Sequence, residues 1–199
     1  MADGDLKSKR ITDYVHAYVK RVVQHGECTI DATTGNGHDT LFLANCVGPS
    51  GQVLGVDIQH AAIAATRARL LAHGVGSRVV LYPGDHGHLL PQWLSRSCPC
   101  PGSVAAILFN LGYLPGSDKQ VVTHAKTTLP ALEAACRLLR PGGVLSVTVY
   151  RGHRGGAEEY DEVVAFFGSL SSKQFEMTAY KGPTPAPTSP VAYIFRRRV

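Results

Sequence analysis

Hydrophobic positions along the chain switch between helical and strand periods. Ile11, Tyr14, Val15, Tyr18, Val19, Val22 and Val23 recur at helical spacing, which predicts an amphipathic helix over 9–25 with Gly26 as its C-cap. The charges that punctuate it, Lys7, Lys9, Arg10, Lys20 and Arg21, read as a solvated face. A short apolar and β-branched run at 28–32 predicts the end of a buried strand. Residues 33–37 then read as a tight turn, and from His38 a helix follows with Leu41, Phe42 and Ala44 on its apolar face. A second strand is predicted over 52–57, an Ala-rich helix over 59–73 closing at Gly74, and a third strand over 79–82. Residues 89–94 read as a short helix or turn. The nearly continuous apolar run at 104–109 suits a central parallel strand. A helix over 127–139 is followed by the stop Arg140-Pro141-Gly142-Gly143, a fifth strand over 144–150 and a helix over 157–170. Strands at 175–180 and 192–196, joined by a Pro-rich loop, have no helix between them. They should form an antiparallel hairpin at one edge of an otherwise parallel sheet, with helices on both faces of its seven strands.

Composition narrows the class. The 199 residues are 44% hydrophobic, enough for one α/β domain spanning 1–199. No apolar run approaches a membrane span, and Met1-Ala2-Asp3-Gly4-Asp5 lacks the apolar core of a signal peptide. The five cysteines show no CxxC pair, and Cys98-Pro99-Cys100 lies in a Pro/Gly loop. Free thiols, no metal site and a reducing compartment, the cytoplasm, are expected. The formal net charge of +5 permits an anionic partner.

Polar and glycine residues follow the predicted strand ends repeatedly. Asp31 to Gly37, Asp57 with Ile58 and Gln59, Asp85-His86, Asn110 to Tyr113, and Tyr150 to Gly156 all do so. In an open α/β sheet those ends form the ligand crevice. The turn Thr33-Thr34-Gly35-Asn36-Gly37 leads into a helix whose free N–H groups face a ligand placed there, with Asp39 and Thr40 in the first turn. Asp57, about 20 residues beyond the glycines, has the position of an acid that takes two ribose hydroxyls.

This arrangement resembles the class I S-adenosylmethionine methyltransferases. Their first motif is an acid followed by alternating glycines; Asp31, Gly35 and Gly37 match, and Thr33 replaces the first glycine. The segment Leu138-Leu139-Arg140-Pro141-Gly142-Gly143 and the terminal hairpin also match that superfamily, and the hairpin separates it from NAD-dependent dehydrogenases. Three motifs narrow the resemblance: residues 31–40, residues 110–116 with Asp118 and Lys119, and residues 150–156 with Glu158 and Glu159. Together they are similar to the YtqB/MnmM-like rRNA methylase family, whose members act as tRNA 5-aminomethyl-2-thiouridine methyltransferases. The tail around 185–190 departs most from the family pattern.

The resemblance implies methyl transfer from S-adenosylmethionine to the primary amine of a modified wobble uridine, with the tRNA anticodon region as partner. The cofactor would meet Asp31, Thr33 to Gly37, Asp39, Thr40, Asp57, Ile58, Gln59, Asp85, His86 and Asn110. Asn110, with a carbonyl that can orient an amine, and Tyr113, which can stack on a base and favour the migrating positive charge, would form the catalytic site. His153 is a candidate proton acceptor or a turn residue. Leu111, Gly112, Tyr113, Lys119, Tyr150, Arg151 and Arg154 are the candidate substrate contacts, with Arg196-Arg197-Arg198 a weaker basic surface. A methyltransferase for a small-molecule amine or another RNA site, and a non-catalytic cofactor-binding protein, are the alternatives. A homodimer stays open.

Overall fold

The computed structural model describes residues 10–97, 102–113, 122–152, 155–184, 186 and 189–199. The elements are α1 (Ile11–Val19), β1 (Cys28–Asp31), α2 (His38–Val47), β2 (Gln52–Asp57), α3 (His60–Ala72), β3 (Val79–Pro83), α4 (His86–Ser95), β4 (Val104–Leu111), α5 (Ala125–Leu138), β5 (Leu139–Val149), α6 (Gly156–Ser169), β6 (Phe175–Tyr180) and β7 (Val191–Arg197). The strands form one sheet in the order β3-β2-β1-β4-β5-β7-β6. The first five pair in parallel, while β7 runs antiparallel to both β5 and β6.

Alternation along the strands splits the core into two layers. Ile107, Phe109 and Leu111 of β4 pack with Leu90 and Trp93 of α4, Leu132 and Leu138 of α5, and Val163 and Phe167 of α6. Ala106 and Leu108 point the other way, into a cluster with Val15 and Val19 of α1, Leu43 and Val47 of α2, and Leu70 of α3. This period-2 reversal in a strand with no polar face is what two helix layers require. The single tryptophan, Trp93, meets the Tyr82 ring edge-on at 4.9 Å.

Several boundaries depart from expectation. The first helix stops at Val19, six residues early, because the chain tightens into i→i−3 bonds (Arg21 N–H to Tyr18, Val22 N–H to Val19) ahead of the β-branched Val22-Val23 pair. Arg140 collects the freed Val22 carbonyl at 3.0 Å and pairs with Glu27 at 2.6 Å. Gly26 therefore does not cap α1; its N–H bonds to Val47. The buried face of α2 is Thr40, Leu43, Ala44 and Val47; Ala44 lies on it as expected, while Leu41 and Phe42 are half-buried. Helix α4 starts three residues earlier than expected, at His86, because the Asp85 carboxylate caps it by accepting the Gly87 N–H at 2.7 Å. Strand β4 runs on through Leu111, so Asn110 lies within the strand. Arg140 to Gly143 is no stop between elements. It is a bulge inside β5, where the register against β4 jumps from Val104–Leu139 to Ala106–Val144. By contrast Gly74, at φ +66, ends α3 as expected: its N–H reaches Leu71 and that of Val75 reaches Leu70, a Schellman cap.

Candidate active site

Strand order reverses at β1, which has β2 on one side and β4 on the other. A crevice is expected beyond the carboxyl ends of the strands at such a switch point. A cleft of about 770 Å³ opens there. Its floor is the turn after β1. Ala32 N–H bonds to Leu108 and Thr34 N–H to Val56, so the turn is pinned to β4 and β2. Gly37 has φ +78 and precedes α2; a Cβ there would lie 2.9 Å from Thr66, which explains the glycine.

Asp57 closes β2 with both oxygens held: Oδ2 accepts the Gly35 N–H at 2.8 Å and Oδ1 the Gln59 N–H at 2.9 Å. Burial pushes its carboxyl up from the usual range, against those two N–H groups. Each oxygen keeps a lone pair for a hydroxyl. Thr33, Thr34, Gly35, Asn36, Asp57, Ile58, Gln59, Asp85 and His86 all line the cleft. Two polar atoms there, Thr34 Oγ1 and His86 Nε2, are buried and lack a hydrogen-bond partner among the described residues. Burial pushes the His86 imidazole below its usual range, outweighing the pull of Asp85, of the Ala32 backbone, of Glu159 and of Asp57. A free Nε2 on a neutral imidazole and a hydroxyl without a partner suit a polar, uncharged ligand edge.

Another group of cleft residues is built around Asp39, on the first turn of α2. Its Oδ1 lies 2.6 Å from His16 Nε2 and its Oδ2 accepts Asn110 Nδ2 at 2.8 Å. Burial raises the Asp39 carboxyl, but the hydrogen bond and charge of His16 and the Asn110 amide outweigh it and hold the group below the usual carboxylate range. With one Nδ2 N–H given to Asp39, the Asn110 carbonyl oxygen is left to accept from a ligand. Tyr113 and Tyr150 also line the cleft, 37% and 39% exposed. Burial, with the Asp39 charge behind it, raises the Tyr150 hydroxyl. Tyr113 is held by a bridge to Val122, and Thr123 N–H returns to Gly112.

Some expected site residues lie elsewhere. Asp31 is fully buried behind the turn, accepting the Thr40 hydroxyl at 2.6 Å and the Thr33 N–H at 3.2 Å. Both Asp31 and Thr40 shape the turn rather than face the cleft. Leu111 points into the core, because strand alternation turns it away from the Asn110 side. Arg151 bonds to the Ser189 carbonyl at 3.0 Å and lies over Tyr160, and it does not line the cleft. Lys119, His153 and Arg154 lie outside the described residues. One wall of the cleft lies away from every strand end in sequence. Arg10, Thr12, Asp13 and His16 of the α1 region, with His124 at the N-cap of α5 and Thr127 within it, line the cleft. Thr12, Asp13 and His16 share one helical face, a signal hidden by reading the polar side of this helix as solvated.

The parallel sheet, the switch-point cleft and the antiparallel β7 between β5 and β6 define the class I methyltransferase fold. Comparison with known proteins agrees. Residues 53–196 match the family model described as “Putative rRNA methylase”, and the chain belongs to that family. The chloroplastic tRNA (mnm(5)s(2)U34)-methyltransferase of Arabidopsis thaliana is 43% identical over 170 residues, 81% of this chain; the chain spans 60% of that relative's length. A “putative rRNA-methylase” of Clostridium thermocellum superposes with a TM-score of 0.87 at 36% identity, over 95% of this chain and 98% of that one. A “putative methyltransferase” of Streptococcus mutans, solved in complex with SAH, gives 0.81 at 30% identity, with 95% and 98% coverage. Among the described residues, no helix is long and apolar enough to cross a membrane, and no group of three or more His, Cys, Asp or Glu is placed to hold a metal ion.

Proposed function

We propose that the protein is an S-adenosylmethionine-dependent N-methyltransferase that converts 5-aminomethyl-2-thiouridine to 5-methylaminomethyl-2-thiouridine at the tRNA wobble position. The observation that carries this reading is the Asp39–Asn110 bond, which leaves an amide carbonyl at the end of β4 to receive an amine. The activity named for the Arabidopsis relative supports it.

The residues fit the cofactor. Asp57 would take the ribose hydroxyls, the 33–37 turn the methionine end, and the buried His86 and Thr34 polar atoms the adenine side. S-adenosylmethionine, when bound, supplies an electrophilic methyl group on a sulfonium. Asn110 would accept one N–H of the neutral amine and point its lone pair at that methyl. Tyr113 and Tyr150 would hold the base and disfavour water. Positioning of this kind supplies up to about 7–11 kcal/mol of acceleration. The substrate ammonium must lose its proton before attack. A half-buried pocket favours the neutral form, so the rate should rise with pH through the ionisation of the amine. Lys119, His153 and Arg154 keep their proposed roles toward RNA and the proton. Free thiols at Cys28, Cys46 and Cys136 suit a reducing compartment, and the cytoplasm is the proposed one, although the Arabidopsis relative is by its name chloroplastic.

The test is incubation of the purified protein with S-adenosylmethionine and tRNA carrying 5-aminomethyl-2-thiouridine, followed by nucleoside mass spectrometry. The methylated nucleoside is expected. Cofactor binding without methylation of this RNA would overturn the substrate; failure to bind the cofactor would overturn the reading as a whole.

A further inference from the structure

His16 belongs to no strand end, yet its ring is fixed from two sides. It lies parallel to Phe42, with centroids 3.7 Å apart and planes 3° from parallel, and its Nε2 is 2.6 Å from Asp39 Oδ1. The other Asp39 oxygen holds Asn110. An ionised carboxylate only accepts, so both contacts run toward Asp39. We infer that His16 is a positioning residue for the acceptor amine: by occupying Asp39 Oδ1 it fixes the carboxylate's rotation, and through it the orientation in which Asn110 presents its carbonyl to the cleft. The inference rests on the methyltransferase reading above.

The terminal torsions of Asp and Asn side chains are broad and nearly two-fold. Neither group would hold one orientation unaided. A half-turn of the Asn110 amide would place two N–H donors where a substrate N–H needs an acceptor. Asp39 prevents that turn only while its own plane is held. The His16 and Asp39 side chains are 23% and 15% exposed, which leaves little water to replace the imidazole. Helix α1 does not depend on this contact for its place. Tyr14 stacks on Tyr180 at 4.0 Å, and Val15 and Val19 are buried in the core. Removing the ring should therefore alter orientation more than folding.

The experiment compares His16→Ala and His16→Gln with wild type in single-turnover methylation of tRNA carrying 5-aminomethyl-2-thiouridine, at saturating S-adenosylmethionine, alongside cofactor affinity by calorimetry. His16→Ala is expected to slow methyl transfer about tenfold, equivalent to about 1.4 kcal/mol, with cofactor Kd within about twofold, because His16 acts on the acceptor through Asp39. His16→Gln can place an N–H on Asp39 and is expected to recover most of the rate. A wild-type rate in His16→Ala, equally slow Ala and Gln variants, or a cofactor affinity that falls with the rate would overturn the inference. A readout free of activity accompanies it. The Asn110 side-chain NH2 resonances, identified by their loss in Asn110→Ala, are expected to move in His16→Ala and to stay near their places in His16→Gln. Unmoved resonances in His16→Ala would overturn the positioning role. Wild-type protein inactive on this RNA would overturn only the substrate reading, and the resonances would still decide the positioning role.

Discussion

Thr33 Oγ1 accepts the backbone N–H of Asn110 at 2.7 Å, so a side chain in the β1 turn holds the acceptor end of β4. Glycine is usual at this position in the resemblance, and a threonine there suggests a ligand contact. Its oxygen accepts inside the protein and closes the switch point, while Thr33 still lines the cleft. Thr33→Val keeps the shape and removes the acceptor. An unmet, half-buried donor costs about 1–3 kcal/mol. A denaturant midpoint lowered accordingly, together with slower methyl transfer, is the expected outcome; Thr33→Ser should stay close to wild type in both.

Asn110→Ala should lower the single-turnover rate at least tenfold while S-adenosylmethionine affinity changes little, since the side chain acts on the acceptor. Asp39→Asn should do the same by a different route, because an amide at position 39 no longer fixes which end of Asn110 faces the cleft. Calorimetry beside rate measurements checks both. Full activity of Asn110→Ala on saturating tRNA would remove the centre of the proposed site.

Much of this was legible from residue order. Strand ends followed by polar clusters located Asp57, Asp85, His86 and Asn110, because alternation of strands and helices puts those ends on one edge of the sheet. What was hidden depends on which way a side chain turns. Asp31 and Asp57 both close strands, yet one faces the core behind its turn and the other faces the cleft. Leu111 follows Asn110 directly and points the opposite way. The α1 wall was hidden for another reason: no local pattern says that this helix packs against β7 and sets His16 beside Asp39.

Asp31 predicts a pH dependence of stability. Burial, followed by the Asp39 charge, pushes its carboxyl up to about 7, against the Thr40 and Thr33 hydrogen bonds. The unfolded value is about 3.9. The folded state therefore holds this proton more tightly, and the stability it contributes is full below about pH 4 and lost as pH rises through about 7. Asp31→Asn mimics the protonated form, since its carbonyl can still accept the Thr33 N–H while its amide meets Thr40. Between pH 5 and 8, thermal melts of wild type should fall relative to those of Asp31→Asn. Parallel curves would show that Asp31 is already ionised at the acid end.

Glu159 is 3% exposed and accepts two hydroxyls, Thr123 at 2.7 Å and Thr128 at 2.7 Å. It thus ties α6 to Thr123, just ahead of α5, and to Thr128 within α5. Glu159→Ala leaves both hydroxyls unmet, at about 1–3 kcal/mol each, and frees the Thr123 segment. A lower melting temperature and a raised KM for tRNA are expected. An unchanged KM at a lower melting temperature would confine Glu159 to stability.

The position of β7 sets an order of assembly. Among the described residues strand β6 pairs with β7 and with no other strand, while β7 also pairs with β5. During synthesis β6 leaves the ribosome first, but it has no partner until residues 191–197 arrive. Until then the β5 edge stays open, and with it the strand that carries Val149 toward Tyr150 and the cleft. Closing such distant pairings is intrinsically slow and leaves an aggregation-prone edge in the meantime. A nascent chain halted before Val191 should therefore lack two strands of the sheet rather than one.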